Sequence, residues 1–196
     1  AFEAGVTGAW LAMRLNAAGM ALTVSGSAHV IGGDFASITA TEAIARFNAT
    51  ATDYTGAGAV DITIDGVTAT LEVGPNTTSV SITGLEGDIS GFVSFGGNFA
   101  FEQVDTDIDV VANSAFAQVT AGAFEAGVTG ASLAMRLNAT GMALTVSGSA
   151  HVIGGDFASI TATEAVARFN DTATDYTGAG AVDITIDGVT ATLEVG

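Results

Sequence analysis

From Val60 to Val73 the chain alternates apolar and polar side chains with a single interruption. Val60, Ile62 and Ile64 alternate with Asp61 and Thr63, and Val67, Ala69, Leu71 and Val73 alternate with Thr68, Thr70 and Glu72. A period of two is that of a strand with one face covered. Asp65-Gly66 between the runs supplies the two positive-φ residues of a type I′ turn, so the stretch predicts a β-hairpin. The pattern recurs around Asp187-Gly188. Upstream, Met20, Leu22, Val24, Ala28 and Val30 alternate with Thr23, Ser25, Ser27 and His29, which predicts a strand whose aliphatic face is buried and whose hydroxyl face is wet. Ile31-Gly32-Gly33-Asp34 reads as a turn. Residues 35–48 fit two templates. Ala40, Ala43, Ile44 and Phe47 have helical spacing and Thr39 with Glu42 fits a capping box, whereas Phe35-Ala36-Ser37-Ile38-Thr39 begins like a strand. With no helical layer for it to pack on, strand is preferred. Residues 48–58 read as a polar loop.

Gly74-Pro75-Asn76 breaks the pattern before another alternating strand at 78–83. Residues 89–95 and 99–104 flank Gly96-Gly97-Asn98, which predicts a second hairpin turn, and residues 107–111 and 115–119 predict two further short strands. About ten short strands then precede a repetition. Residues 1–74 return as 123–196 with four differences, Trp10/Ser132, Ala18/Thr140, Ile44/Val166 and Ala49/Asp171. The organisation is therefore one complete unit, 1–122, followed by a partial second unit, 123–196, and it reads as a segment of a longer tandem array. The expected fold class is all-β, antiparallel strands and hairpins in tandem units, arranged as a sandwich or as one continuous meandering sheet. Duplication alone leaves open whether units fold as separate beads or share a sheet.

Composition narrows the function. Four Arg and no Lys face 21 acidic residues, for a net charge of −17. Phosphate backbones need a basic surface, so nucleic acid is excluded as a partner, as is a polybasic contact with anionic lipid. No apolar run approaches the ~20 residues of a membrane-spanning helix. The absence of Cys removes disulfides and zinc–thiolate sites.

With these residues placed, the succession Gly127-Val128-Thr129-Gly130-Ala131-Ser132-Leu133-Ala134, then Ala143-Leu144-Thr145-Val146-Ser147-Gly148-Ser149-Ala150, together with Gly91-Phe92-Val93-Ser94-Phe95-Gly96-Gly97-Asn98-Phe99-Ala100-Phe101-Glu102, resembles the long repeats of giant secreted bacterial surface proteins of the RTX-adhesin type. The resemblance implies a secreted or surface-attached structural role, often with calcium. The Gly-Gly-x-Gly-x-Asp nonapeptides of that family are missing, so a calcium site would lie elsewhere.

Asp105-Thr106-Asp107-Ile108-Asp109 has the alternating carboxylates that open a calcium loop, and Asp105, Asp107 and Asp109 are the candidate Ca2+ ligands. An EF-hand would require Gly where Val110 stands and Glu where Phe116 stands. The competing reading is a solvated strand edge whose charges discourage unwanted pairing. His29 and its copy His151 lack the partners of a catalytic or metal-binding histidine and read as polar-face strand residues. Thr39-Ala40-Thr41 and Thr68-Ala69-Thr70 put paired hydroxyls on one strand face, where saccharide could bind. Asn48, Asn76, Asn138 and Asn170 open glycosylation sequons. Trp10 becomes Ser132 in the second copy, which argues for exposure. The sequence thus leads to an expectation of a non-enzymatic, secreted or cell-surface structural protein, a fibre, sheath or adhesin stalk that partners with itself. The alternative is a multivalent module that binds carbohydrate or a cell surface.

Overall fold

The computed structural model describes residues 2–33, 35–155 and 158–196, so Asp34, in the turn expected after Ile31, lies outside the described residues. The protein is all-β. Nine strands form one antiparallel sheet in the spatial order β1 (Phe2–Asn16), β2 (Gly19–Gly32), β3 (Ala36–Asn48), β6 (Thr77–Ile89), β7 (Val93–Val104), β8 (Asp107–Ala121), β9 (Phe124–Asn138), β10 (Gly141–Gly154), β11 (Ser159–Asn170). Between β3 and β6 the chain leaves the sheet to make the hairpin β4 (Val60–Ile64) and β5 (Val67–Leu71), and after β11 it makes the equivalent hairpin β12 (Val182–Ile186) and β13 (Val189–Leu193). The expected turns are in place: Asp65 and Gly66 sit at φ 50° and 82°, Asp187 and Gly188 at 50° and 81°. Residues 36–48 are strand, paired on both sides, so lateral pairing overrides their helical spacing.

The sequence divides the chain more finely than the fold does. In place of about ten short strands, the first unit has six long strands of 12–15 residues plus one short hairpin. The expected hairpin turn at Gly96-Gly97-Asn98 is a bulge inside β7, where the register against β8 shifts between Gly96 and Asn98. Shifts at Thr7/Trp10, Gly26/Ala28, Ile82/Leu85 and Ala112/Ala115 continue the irregularity from strand to strand. A bulge admits one extra residue and bends the strand without ending it, which is why these glycines look like breaks in the sequence. Gly97 is at φ 134° and a Cβ there would lie 2.6 Å from the Ala115 Cα.

The two faces of the sheet differ. Each hairpin lies across the face that carries small or hydroxyl side chains, which let it approach closely. Tyr54, Leu71 and Val73 pack on Ala12 and Ala21 in the first unit. In the second hairpin, Ile184, Ile186, Val189 and Leu193 pack on Ala134 and Ala143 of the second unit and on Ala100 and Val111 of the first. Thr23 fixes the first hairpin by donating to the Glu72 carbonyl (3.1 Å) and accepting from its N–H (3.2 Å), and Thr145 does the same with Glu194. The expectation for the strand at residues 20–30 is therefore reversed: Ala21, Thr23 and Ser25 are buried while Leu22 and Val24 are half-exposed.

Leu22 and Val24 belong to the other, open face. Following the register from strand to strand, Met13, Leu22, Phe47, Thr78, Gln103, Ile108, Leu137, Met142 share it at one end and Val6, Ala28, Ala40, Leu85 at the other. No described strand residue on this face is charged. Nine strands at ~4.8 Å spacing and ~3.3 Å per residue make it about 40 by 45 Å. Leu11, Met13 and Leu15 are 48–73% exposed on it.

Candidate functional site

The face that carries the hairpins also carries the charge, concentrated where the first unit meets the second. The sheet crosses that seam without interruption, because β8 of the first unit pairs with β9 of the second from Ile108↔Leu137 to Ala121↔Phe124. One register row runs across it: Arg46 on β3 lies opposite Ser79 on β6, Ser79 opposite Glu102 on β7, Glu102 opposite Asp109 on β8, and Asp109 opposite Arg136 on β9. Two carboxylates side by side repel, and the row places a guanidinium beyond each end of the pair.

Arg136 grips Asp109 with two parallel hydrogen bonds, Nε to Oδ1 at 2.8 Å and Nη2 to Oδ2 at 2.6 Å. That fork geometry combines charge with direction. The hydrogen bonds to Asp109 raise the pKa of Arg136 above its ordinary value against the opposing effect of burial. At the other end, the turn of the second unit's hairpin comes down on the first unit. Asp187 forms an ion pair with Arg46 and accepts a hydrogen bond from the Ser81 hydroxyl at 2.7 Å. Burial lowers the pKa of Arg46, opposed by the carboxylates of Glu72, Glu102 and Glu42, and the guanidinium stays charged. Glu102 has its pKa raised, first by burial and then by Asp109, with Arg46 opposing. A third link, the Asn113 amide donating to the Thr190 carbonyl at 3.1 Å, ties β8 to β13. The hairpin of one unit is thus clasped to strands of the unit before it.

The candidate calcium ligands fall inside this arrangement. Asp105 occupies the β7–β8 turn at φ 55°, Asp107 opens β8, and Asp109 is held by Arg136. Asp107 and Asp109 share the hairpin-bearing face, and all three line one open cleft with Glu102 and Arg136. Among the described residues no group of three or more acidic or histidine side chains is gathered as a metal would require. Asp53 and Asp175, also acidic and exposed, have lowered pKa values because the hydroxyls and N–H groups of Thr55 and Thr177 donate to them. His29 and His151 each face a cross-strand glutamate, Glu3 at 3.3 Å and Glu125 at 2.8 Å, as polar-face strand residues do. Trp10 is 37% exposed.

The sequon at Asn48 is structural. Asn48 is 1% exposed, donates to the carbonyls of Thr52 and Gly74 (both 2.8 Å) and accepts from the Thr50 N–H and hydroxyl. Asn76 is exposed at φ 50°.

Sequence reasoning overlooked the arginines. They are four in number, at equivalent positions in the two copies (Arg14/Arg136 and Arg46/Arg168), and they carry all of the chain's Lys and Arg charge. In a strongly acidic chain that economy was the available signal. No family model, curated protein or solved structure matches the chain.

Proposed function

We propose that the protein is a non-enzymatic structural tandem-repeat protein whose units run on in a single sheet as an extracellular fibre, sheath or adhesin stalk. The observation that carries this reading is the unbroken β8–β9 pairing across the repeat boundary, reinforced by a hairpin that spans it. Load applied along such an array passes through backbone ladders instead of flexible linkers. Near-identical copies add length without adding a new site. The resemblance to long repeats of secreted bacterial surface proteins supports the same reading and the extracellular location.

The open apolar face fits this role as well. Its roughly 1,800 Å² exceeds both the few hundred Å² that monomeric proteins leave exposed and the ~800 Å² per partner of a standard interface. A second copy laid face to face, at the ~10 Å spacing of stacked sheets, would bury it and leave both acidic faces in water. The partner in this reading is another copy of the chain.

The test is electron microscopy of a multi-unit chain with calcium and after chelation, beside sedimentation of the same samples. Fibres or ribbons two sheets thick support the reading. Their loss on chelation would make cations, at Asp105, Asp107 and Asp109, part of the assembly. Flexible strings of separate beads would overturn it in favour of a multivalent glycan- or surface-binding module. Monomers that bind neutral-lipid vesicles would overturn the face-to-face pairing.

A further inference from the structure

Residues 60–73 and 182–195 have the same sequence and the same hairpin geometry, yet they differ in burial. Ile186 and Val189 are 3% and 2% exposed, whereas their counterparts Ile64 and Val67 are 69% and 73% exposed. The difference has a simple origin. The second hairpin rests on its own unit's strands and also on β7 and β8 of the unit before it, through Ala100 and Val111. The buried sheet residues under the first hairpin, among those described, are Ala12 of β1 and Ala21 of β2.

The charges follow the same division. Arg136 holds Asp109 across the seam, while the equivalent Arg14 lies over the Tyr54 ring, 6.0 Å from its centroid. Asp187 closes on Arg46 and Ser81, while the equivalent Asp65 is exposed and makes no side-chain hydrogen bond among the described residues. At the opposite end, Arg168 makes do with its own unit's Glu194, at 3.4 Å with both side chains 48% exposed. The outer edge of β11 is the edge that β3 offers to β6.

We propose that the outer edge of β1 and the exposed side of hairpin β4–β5 form a docking seat for strands β7 and β8 of a further copy of the repeat. Arg14 takes that copy's counterpart of Asp109, and Asp65 closes on its counterpart of Arg46. The inference rests on the single-sheet reading above and specifies its joint. The occupant is fixed by the chain itself: the equivalent surface one unit later, which along that strand differs only at Trp10/Ser132, is covered by those strands, with those charges. Each seam then uses one arginine from each of the two units it joins, and each unit's two arginines are both engaged. A strongly acidic chain with no lysine has no other cation to offer.

The test compares the present chain with an extended chain in which a second copy of residues 1–122 precedes Ala1. The protein has no cysteine, so Ile64→Cys and Ile186→Cys each give one thiol whose alkylation by iodoacetamide can be followed. In the present chain Ile64→Cys is expected to react freely and Ile186→Cys slowly. In the extended chain Ile64→Cys is expected to slow at least about tenfold, because a covered thiol reacts only through local opening. If Ile186→Cys stays protected and Ile64→Cys reacts equally fast in both chains, the docking seat is overturned while the single sheet stands. If Ile186→Cys itself reacts freely, the seam and the single-sheet reading fall together. Arg14→Gln provides an arm that needs no buried thiol. It is expected to lower the melting temperature of the present chain by no more than the small loss of its contact with Tyr54 and to lower that of the extended chain by clearly more; an equal effect in both would also overturn the proposal.

Discussion

Arg136 and Arg14 are the same residue in two copies of one strand, and their unequal surroundings set up a controlled perturbation. Arg136→Gln removes two charge-assisted hydrogen bonds and leaves Asp109 facing Glu102 with less compensation. The two side chains are 29% and 20% exposed, so solvent screening is partial. An exposed ion pair contributes at most about 1 kcal/mol, and hydrogen bonds to charged groups about 1.5–3 kcal/mol. For a half-buried fork, about 1–2 kcal/mol is the reasonable loss. Arg14→Gln loses a cation–π contact at the edge of its range, about 0.5 kcal/mol or less. In a chain of this size each kcal/mol moves the melting point by roughly 2–4 °C. Thermal and urea unfolding should therefore place Arg136→Gln several degrees below Arg14→Gln. Asp109→Asn should resemble Arg136→Gln, and do so equally in calcium and in chelator. Equal effects at Arg14 and Arg136 would refute the seam pair, and a loss confined to calcium-containing buffer would assign Asp109 to a cation instead.

Three further outcomes follow from individual environments. Asn48→Ala strips partners from two part-buried carbonyls and the buried Thr50 N–H, so it should cost about 1–3 kcal/mol in denaturant unfolding, and folded protein should remain unglycosylated at Asn48 when presented to an oligosaccharyltransferase. Glu102 has a pKa raised in the folded state, so the fold binds its proton more tightly than the unfolded chain does, and stability falls as pH rises from the ordinary glutamate range through that raised value. Glu102→Gln removes this loss: it should stabilise at pH 7 by up to about 1 kcal/mol, discounted for partial exposure to solvent, with the advantage vanishing below the ordinary glutamate pKa, and a variant less stable at neutral pH would contradict the assignment. Gly97→Ala drives a Cβ to within 2.6 Å of the Ala115 Cα and should cost about 2–3 kcal/mol or more, whereas Gly91→Ala, with open space around it, should lose only the ~1–2 kcal/mol of a left-handed residue, as paired melting curves would show.

The hairpins were legible because their determinants are local: alternation and an Asp-Gly turn specify them without reference to the rest of the chain. The length of the sheet strands was not, because a bulge and a turn draw on the same residues. Gly96-Gly97-Asn98 could end a strand or bend it, and what decides is whether β6 and β8 continue on either side. Which face is buried was also hidden. Leu22 and Val24 are the more apolar side of β2, yet Ala21, Thr23 and Ser25 are covered, since a hairpin from fifty residues downstream needs small side chains and a threonine to dock on. The seam was invisible to local reading for the same reason. Asp109 looked like a calcium ligand among its sequence neighbours, and its arginine partner comes from the next unit.

The claim that successive units share one sheet is tested most directly by hydrogen exchange on the unaltered chain. Peptides from residues 2–16 and 124–138 differ at Trp10/Ser132 and so are separable by mass, and they report the same strand with one neighbour and with two. The account predicts that residues 124–138 and the adjoining 107–121 exchange as slowly as the interior strands β6 and β7, with residues 2–16 exchanging faster at alternate amides along their free edge. If 107–121 and 124–138 exchange as fast as 2–16, the units are separate beads and the continuous sheet is wrong.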